Sequence, residues 1–173
     1  MREVRVQSLG LDQASKTPVV ILQEADGERV LPIWIGPGEA SAIAMELAGM
    51  KFARPLTHDL AASLVRALGG TLQRVVISKV ESNTYYAELV IKHGEELVSI
   101  DARPSDSIAI ALRLQAPLFT TEDLLSAGTI QIEAAEESEF APQSEADSSA
   151  MTPEQLQAYL KKLNPEDLGR FKP

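Results

Sequence analysis

Residues 27–47, Gly-Glu-Arg-Val-Leu-Pro-Ile-Trp-Ile-Gly-Pro-Gly-Glu-Ala-Ser-Ala-Ile-Ala-Met-Glu-Leu, return in altered form at residues 94–114, Gly-Glu-Glu-Leu-Val-Ser-Ile-Asp-Ala-Arg-Pro-Ser-Asp-Ser-Ile-Ala-Ile-Ala-Leu-Arg-Leu. At a constant offset of 67 residues, Gly27, Glu28, Ile33, Pro37, Ala42, Ile43, Ala44 and Leu47 recur as the same residue, and Glu39 recurs as Asp106. A repeat of this length predicts two structurally equivalent halves. Outward the correspondence thins: Val4 and Val6 match Val75 and Ile77, and Pro55-Leu56 matches Pro117-Leu118.

Each half reads as three strands and a helix. Apolar runs rich in β-branched residues predict strands at about 3–9, 18–24 and 29–35, then at 72–80, 85–92 and 95–101. Asp26-Gly27 and His93-Gly94 are the predicted turns, the first because both positions tolerate positive φ. Helices are predicted over about 38–48 and 105–115, apolar nearly all round and so enclosed by sheet and neighbouring helices. Another is predicted from the N-cap Thr57 to Gly69-Gly70, with Leu60, Leu64, Val65 and Leu68 as its buried face, and a short one over 122–126. Short links imply largely antiparallel sheet, so the fold class is α+β: internally duplicated β-β-β-α units packed with helices. The rhythm is not that of a doubly wound nucleotide fold, and no glycine-rich phosphate loop is present.

The chain's 173 residues divide into a domain at 1–132, an acidic flexible linker at 133–150 and a short helical tail at 151–173. The linker is acidic, small and poor in large apolar groups. The tail opens with Thr152-Pro153-Glu154-Gln155 in capping-box form, and Leu156, Tyr159, Leu160 and Leu163 follow at helical spacing. One apolar stripe on a short helix must dock, on its own domain or on a partner.

The net charge of −9 is uneven: −4 over residues 1–132, −6 over 133–150 and +1 over 151–173. The folded part therefore lacks the broad basic face of most nucleic-acid binders. With 45% hydrophobic but only 5% aromatic residues, the core is expected to be aliphatic. Cysteine is absent, which excludes disulfides and thiolate zinc sites and fits a reducing, cytoplasmic location. The strand-like N-terminus does not read as a signal sequence, and no apolar run is long enough to span a bilayer, so no membrane association is expected.

Two polar motifs stand in this aliphatic background: Arg54-Pro55-Leu56-Thr57-His58-Asp59 and Asp101-Ala102-Arg103-Pro104-Ser105-Asp106-Ser107. Each puts an arginine before a proline, with an acid and a hydroxyl just behind, at the start of an apolar helical run. Arg54 and Arg103 are candidate phosphate ligands, since a pre-proline residue is held extended beside free helix N–H groups. An arginine–aspartate pairing that closes the motifs on each other is the competing reading. Glu39 and Asp106, equivalent under the repeat, occupy first helical turns, where the helix dipole alone would favour them; with Asp59 they are also candidate Mg²⁺ or Mn²⁺ ligands. Asp59, Asp101, Asp106 and His58 are the candidate catalytic residues; His58, at a helix start, is expected to be open to solvent and so able to carry a proton as general base or acid, or else to be an ordinary first-turn residue. Ser105, Ser107 and Thr57 read most simply as caps, and His93, at a hairpin, as incidental. The six polar groups Arg54, His58, Asp59, Asp101, Arg103 and Asp106 are expected around one cleft.

Leu31-Pro32-Ile33-Trp34-Ile35-Gly36 with Glu39-Ala40, the Arg54–Leu60 block and the Asp101–Ala109 block together resemble the bifunctional nuclease domain family over about residues 1–130. The resemblance implies an α+β domain, often a homo-oligomer, with hydrolysis of DNA and RNA phosphodiesters as the leading function. It transfers no residue-level mechanism. Nucleic acid or a small phosphate ligand is the expected partner; a non-catalytic module that binds a small anionic metabolite or a protein partner is the alternative, which the low basic content favours.

Overall fold

The computed structural model describes residues 1–128; the linker and tail read from the sequence lie outside the described residues. The element order is β1 (Arg2–Leu11), β2 (Pro18–Glu24), β3 (Val30–Trp34), α1 (Pro37–Leu47), α2 (Thr57–Ala67), β4 (Gly70–Glu81), β5 (Thr84–His93), β6 (Glu96–Ala102), α3 (Pro104–Leu114) and β7 (Leu118–Thr120). A further helix, α4, covers 122–128. All strands join one seven-stranded sheet in the order β3-β2-β1-β7-β4-β5-β6.

That order carries the sequence repeat. Two antiparallel three-strand meanders flank β7 as reversed copies of one another. β7 runs antiparallel to β1 and parallel to β4, so β1 and β4 run in opposite senses, as a two-fold axis normal to the sheet requires. Helices α1 and α3 begin and end 67 residues apart. The class is α+β, as expected, with β4–β7 as the parallel pairing. Strand β7 has no forecast in the sequence: three residues behind Pro117 are too few to show alternation.

Alternate strand residues, among them Val20 and Leu22, Leu31 and Ile33, Val75 and Ile77, and Ala87 and Leu89, face one aliphatic core shared with Ile43, Ile108 and Leu125 from the helices. Seven residues of α3 are buried, as its apolar surface requires. Helix α1 departs from expectation, since Ala42 and Ile43 are its buried residues and Leu47 is exposed. The halves also differ at their edges. Leu31 and Ile33 of β3 are buried beside α4, where Gly128 lies so close that a Cβ would stand 2.6 Å from the Val30 carbonyl oxygen. Their equivalents on β6, Val98 and Ile100, are exposed. Arg2, Glu24 and Arg29 join Glu122 in an ion-pair network that ties α4 to β1 and β2; the two arginines pull the Glu122 carboxyl down to about 2, Arg29 contributing most.

Two local expectations are corrected. The β2–β3 link uses no positive φ at Asp26-Gly27, because five residues (25–29) span it and relieve the need for a tight turn. Positive φ is instead found at Ser82 and Asn83, the two-residue turn of the β4–β5 hairpin, at 49° and 61°, and at Gly94. More consequentially, α2 buries Ala62 and exposes Leu60, Leu64 and Leu68 to 51%, 51% and 73%. Its rotation is set by polar partners: His58, Asp59 and Arg66 all reach α3, through Asp106, Arg113 and the Arg113 carbonyl.

Candidate functional site

The starts of α1, α2 and α3 meet through side chains. Pro104 occupies the first turn of α3, and Arg103 before it is extended at φ −69°, ψ 145°, as a pre-proline residue must be. From there its guanidinium reaches over the helix start: Nε donates to Asp106 Oδ2 at 2.8 Å and Nη1 meets Glu39 Oε1 at 2.9 Å. The two acids equated by the repeat thus share one arginine. His58, in the first turn of α2, places Nε2 3.0 Å from Asp106 Oδ1. The result is a chain Glu39–Arg103–Asp106–His58 across three helices. Burial opposes ionisation of Asp106, but the hydrogen bonds from Arg103 and His58 and their charges outweigh it and hold the carboxyl below its ordinary value. The expectation that His58 is open to solvent is corrected: its side chain is only 14% exposed, because the ring is turned in to Asp106.

Asp59 belongs to a second cluster. One carboxylate oxygen accepts the Leu56 N–H at 2.8 Å and the other pairs with Arg113. The Arg113 hydrogen bond is the main reason its pKa is lowered; burial works against this and the Leu56 N–H works with it. Leu56, not Thr57, is therefore the N-cap residue, its backbone satisfied from inside the helix. Arg113 is 7% exposed and also donates to the carbonyls of Ala109 at 2.9 Å and Ala42 at 3.3 Å, with Glu46 at 3.9 Å. Sequence reasoning passes over Arg113, because a basic residue in a last helical turn reads as a solvated partner of the dipole. The signal available is its position behind the wholly apolar run 108–112, which encloses the helix that carries it.

The remaining site residues stand apart. Among the described residues Arg54 is exposed and has no hydrogen bond or ion pair. Asp101 sits opposite Glu88, one residue out of phase with the Leu89–Ile100 pair on the core side, and its charge acts on Lys79. Strand alternation thus turns Asp101 away from the helix starts where Asp106 lies. Neither α1 nor α3 has a side-chain cap; Ser105 and Ser107 are buried, and Ser107 Oγ has no hydrogen-bond partner among the described residues.

Of the six polar groups expected in one cleft, His58, Arg103 and Asp106 converge, joined by Glu39. The proposed Mg²⁺ or Mn²⁺ ligands Glu39, Asp59 and Asp106 do not form one coordination sphere. Among the described residues no three His, Asp or Glu side chains are grouped closely enough for an ion. Asp59 is held by Arg113, and a guanidinium stands between Glu39 and Asp106 where a cation would sit. This donor set does not fit a three-carboxylate metal centre. The geometry offers instead a histidine–aspartate dyad beside a 66% exposed arginine side chain.

Comparison with known proteins adds an independent line. The bifunctional nuclease domain model matches residues 20–133. An uncharacterized protein of Mycobacterium tuberculosis is 46% identical over 126 residues, covering 73% of this chain and 75% of its own length. Bifunctional nuclease 1 of Arabidopsis thaliana is 29% identical over 133 residues, which cover 74% of this chain and 41% of the plant protein. Bifunctional nuclease 1 of Oryza sativa subsp. japonica is 26% identical over 110 residues, covering 62% of this chain and 33% of its own. The matched region is thus well under half of each plant protein. Among the described residues no helix is long and apolar enough to cross a membrane.

Proposed function

This chain belongs to the bifunctional nuclease domain family, and from that premise we propose that it hydrolyses phosphodiester bonds of DNA and RNA at the Glu39–Arg103–Asp106–His58 cluster. The observation that carries the reading is the 3.0 Å contact between His58 Nε2 and Asp106 Oδ1. An ionised carboxylate only accepts hydrogen bonds, so a neutral His58 donates from Nε2 and keeps its lone pair on Nδ1. Asp106 thereby fixes the tautomer and steadies the imidazolium that forms when Nδ1 takes a proton from the attacking hydroxyl or water. Arg103 spends Nε and Nη1 on the two acids and leaves Nη2 for a phosphate oxygen. The exposed Arg54 is a second candidate for the strand's phosphates. With a net charge of only −4 over residues 1–132, binding rests on these few local contacts, so its salt dependence is shallow.

A non-catalytic reading has one specific support. Every charge in the chain Glu39–Arg103–Asp106–His58 is already answered within the protein, so the chain can serve to lock three helix starts together. Asp106→Asn separates the two readings. If the cluster is catalytic, the variant, still folded by circular dichroism, loses cleavage of single-stranded DNA and RNA, assayed in Mg²⁺, in Mn²⁺ and in EDTA, in addition to any fall in melting temperature from the lost Arg103 ion pair. If it is a latch, the melting temperature falls and any copurifying nuclease activity is unchanged.

A further inference from the structure

Helices α1 and α3 are equivalent under the repeat, but the connections that leave them are not. Two residues, Gln115 and Ala116, carry the chain from Leu114 to Pro117-Leu118; seven, residues 48–54, carry it from Leu47 to the matching Pro55-Leu56. The longer connection does not pack at its end. Lys51, Phe52, Ala53, Arg54 and Pro55 are all exposed, Phe52 to 43%. Among the described residues neither Lys51 nor Arg54 has a hydrogen bond or ion pair. No acid stands between Glu46 and Asp59, and both of those pair with Arg113. The loop is thus a small basic patch with an aromatic ring at its centre, in a domain that is acidic as a whole. It adjoins the cluster: Leu56 is extended at φ −79°, ψ 176° and α2 starts at Thr57, so the Cα atoms of Arg54 and His58 stand within about 12 Å of each other.

We propose that this loop is a subsite for an unpaired base of a single-stranded nucleic acid: Phe52 stacks on the base, and Lys51 and Arg54 take the phosphates to either side. The inference rests on the reading of the Glu39–Arg103–Asp106–His58 cluster as a phosphodiesterase site and adds to it the form of the substrate. The chemistry of the loop selects that form. A phenyl ring has no hydrogen-bonding group, so it gains from a base only by lying on its face, and in a duplex that face is covered by the next base pair. Two cations answer the phosphates that flank one base, whereas the denser charge of a duplex calls for many. An acidic peptide would satisfy the two cations and leave Phe52 without a face to stack on.

The test measures binding apart from cleavage. Fluorescence anisotropy follows a short labelled DNA or RNA oligonucleotide, single or annealed to its complement, with the full chain carrying His58→Ala, or with the wild type and a phosphorothioate strand that resists cleavage. The single strand is expected to bind more tightly than the duplex. Phe52→Ala and Phe52→Leu should each weaken single-strand binding by roughly 10-fold and leave duplex binding unmoved, while Phe52→Tyr keeps the affinity. Lys51→Ala/Arg54→Ala should lower the slope of log affinity against log salt by about 1.4, at about 0.7 for each phosphate contact. A duplex bound as tightly as the single strand, no binding of either, Phe52→Leu equal to the unsubstituted loop, or polyglutamate displacing the strand as well as unlabelled DNA does would each overturn the proposal. The two readings fail separately. Phe52-dependent binding without cleavage by the wild type upholds the subsite and removes the catalytic reading; His58-dependent cleavage with Phe52 of no effect on binding does the reverse.

Discussion

Arg113→Met should destabilise the domain by about 2 kcal/mol. A fully buried ion pair broken on one side costs about 3–5 kcal/mol, most of it the charge left without a partner. Here the abandoned group is Asp59, whose carboxylate is partly open to solvent and keeps the Leu56 N–H, so hydration recovers part of the loss. The carbonyls of Ala42 and Ala109 lie within helices whose own N–H groups serve them, so they add little. Methionine preserves most of the buried stem and avoids a cavity penalty. For a domain of this size, about 2 kcal/mol lowers the melting temperature by roughly 5–10 °C. Urea unfolding followed by circular dichroism measures the change directly. A cycle with Asp59→Asn should give a coupling energy of about 1 kcal/mol or more, since both changes remove the same bond. Arg113→Met within about 0.5 kcal/mol of wild type, the range of ordinary surface changes, would refute the assignment of Arg113 as the tie between α1, α2 and α3.

Two further outcomes follow from the same contacts. Asp59 and Asp106 are both held below the ordinary value of 3.8, so their stabilisation is complete above the unfolded-state pKa and disappears as pH falls through the lower folded values. Asp59→Asn should therefore flatten stability against pH on the acid side of about pH 4, and a variant with the wild-type acid slope would contradict the pairing. Gly128→Ala puts a Cβ 2.6 Å from the Val30 carbonyl oxygen and 3.1 Å from Leu31 Cα, both backbone atoms that yield poorly. A loss of about 1–3 kcal/mol is expected by thermal melting, and a raised melting temperature would mean that α4 does not seat on β3 as described.

The duplication was legible because its signal is redundant: alternation, helical spacing and the turn residues agree at one offset, and the sheet order β3-β2-β1-β7-β4-β5-β6 repeats that agreement in space. The site was legible in part. Arg103 and Asp106 lie three residues apart at a helix start, so local geometry nearly dictates their bond. His58 meeting Asp106 depends on how α2 docks against α3, 48 residues away, which no local pattern contains. For Asp101 the strand reading was sound, but the phase decided the matter: one residue's shift sends a side chain to the other face. The leucines of α2 misled because apolar periodicity reports a face that prefers to be covered without saying what covers it. Arg113 escaped notice since a buried arginine and a solvated one look the same in a sequence; the partners that distinguish them come from α1 and α2.

The proposed chemistry stands or falls with His58. The decisive measurement is the cleavage rate of single-stranded DNA and RNA by purified wild type and by His58→Ala, prepared in parallel and matched by melting temperature. Removing a positioned general base is expected to cost roughly 100-fold or more in rate, with the fold intact because the other bonds of Asp106 and Arg103 remain. His58→Ala that cleaves at the wild-type rate would contradict the account and place any activity elsewhere in the chain or in a contaminant.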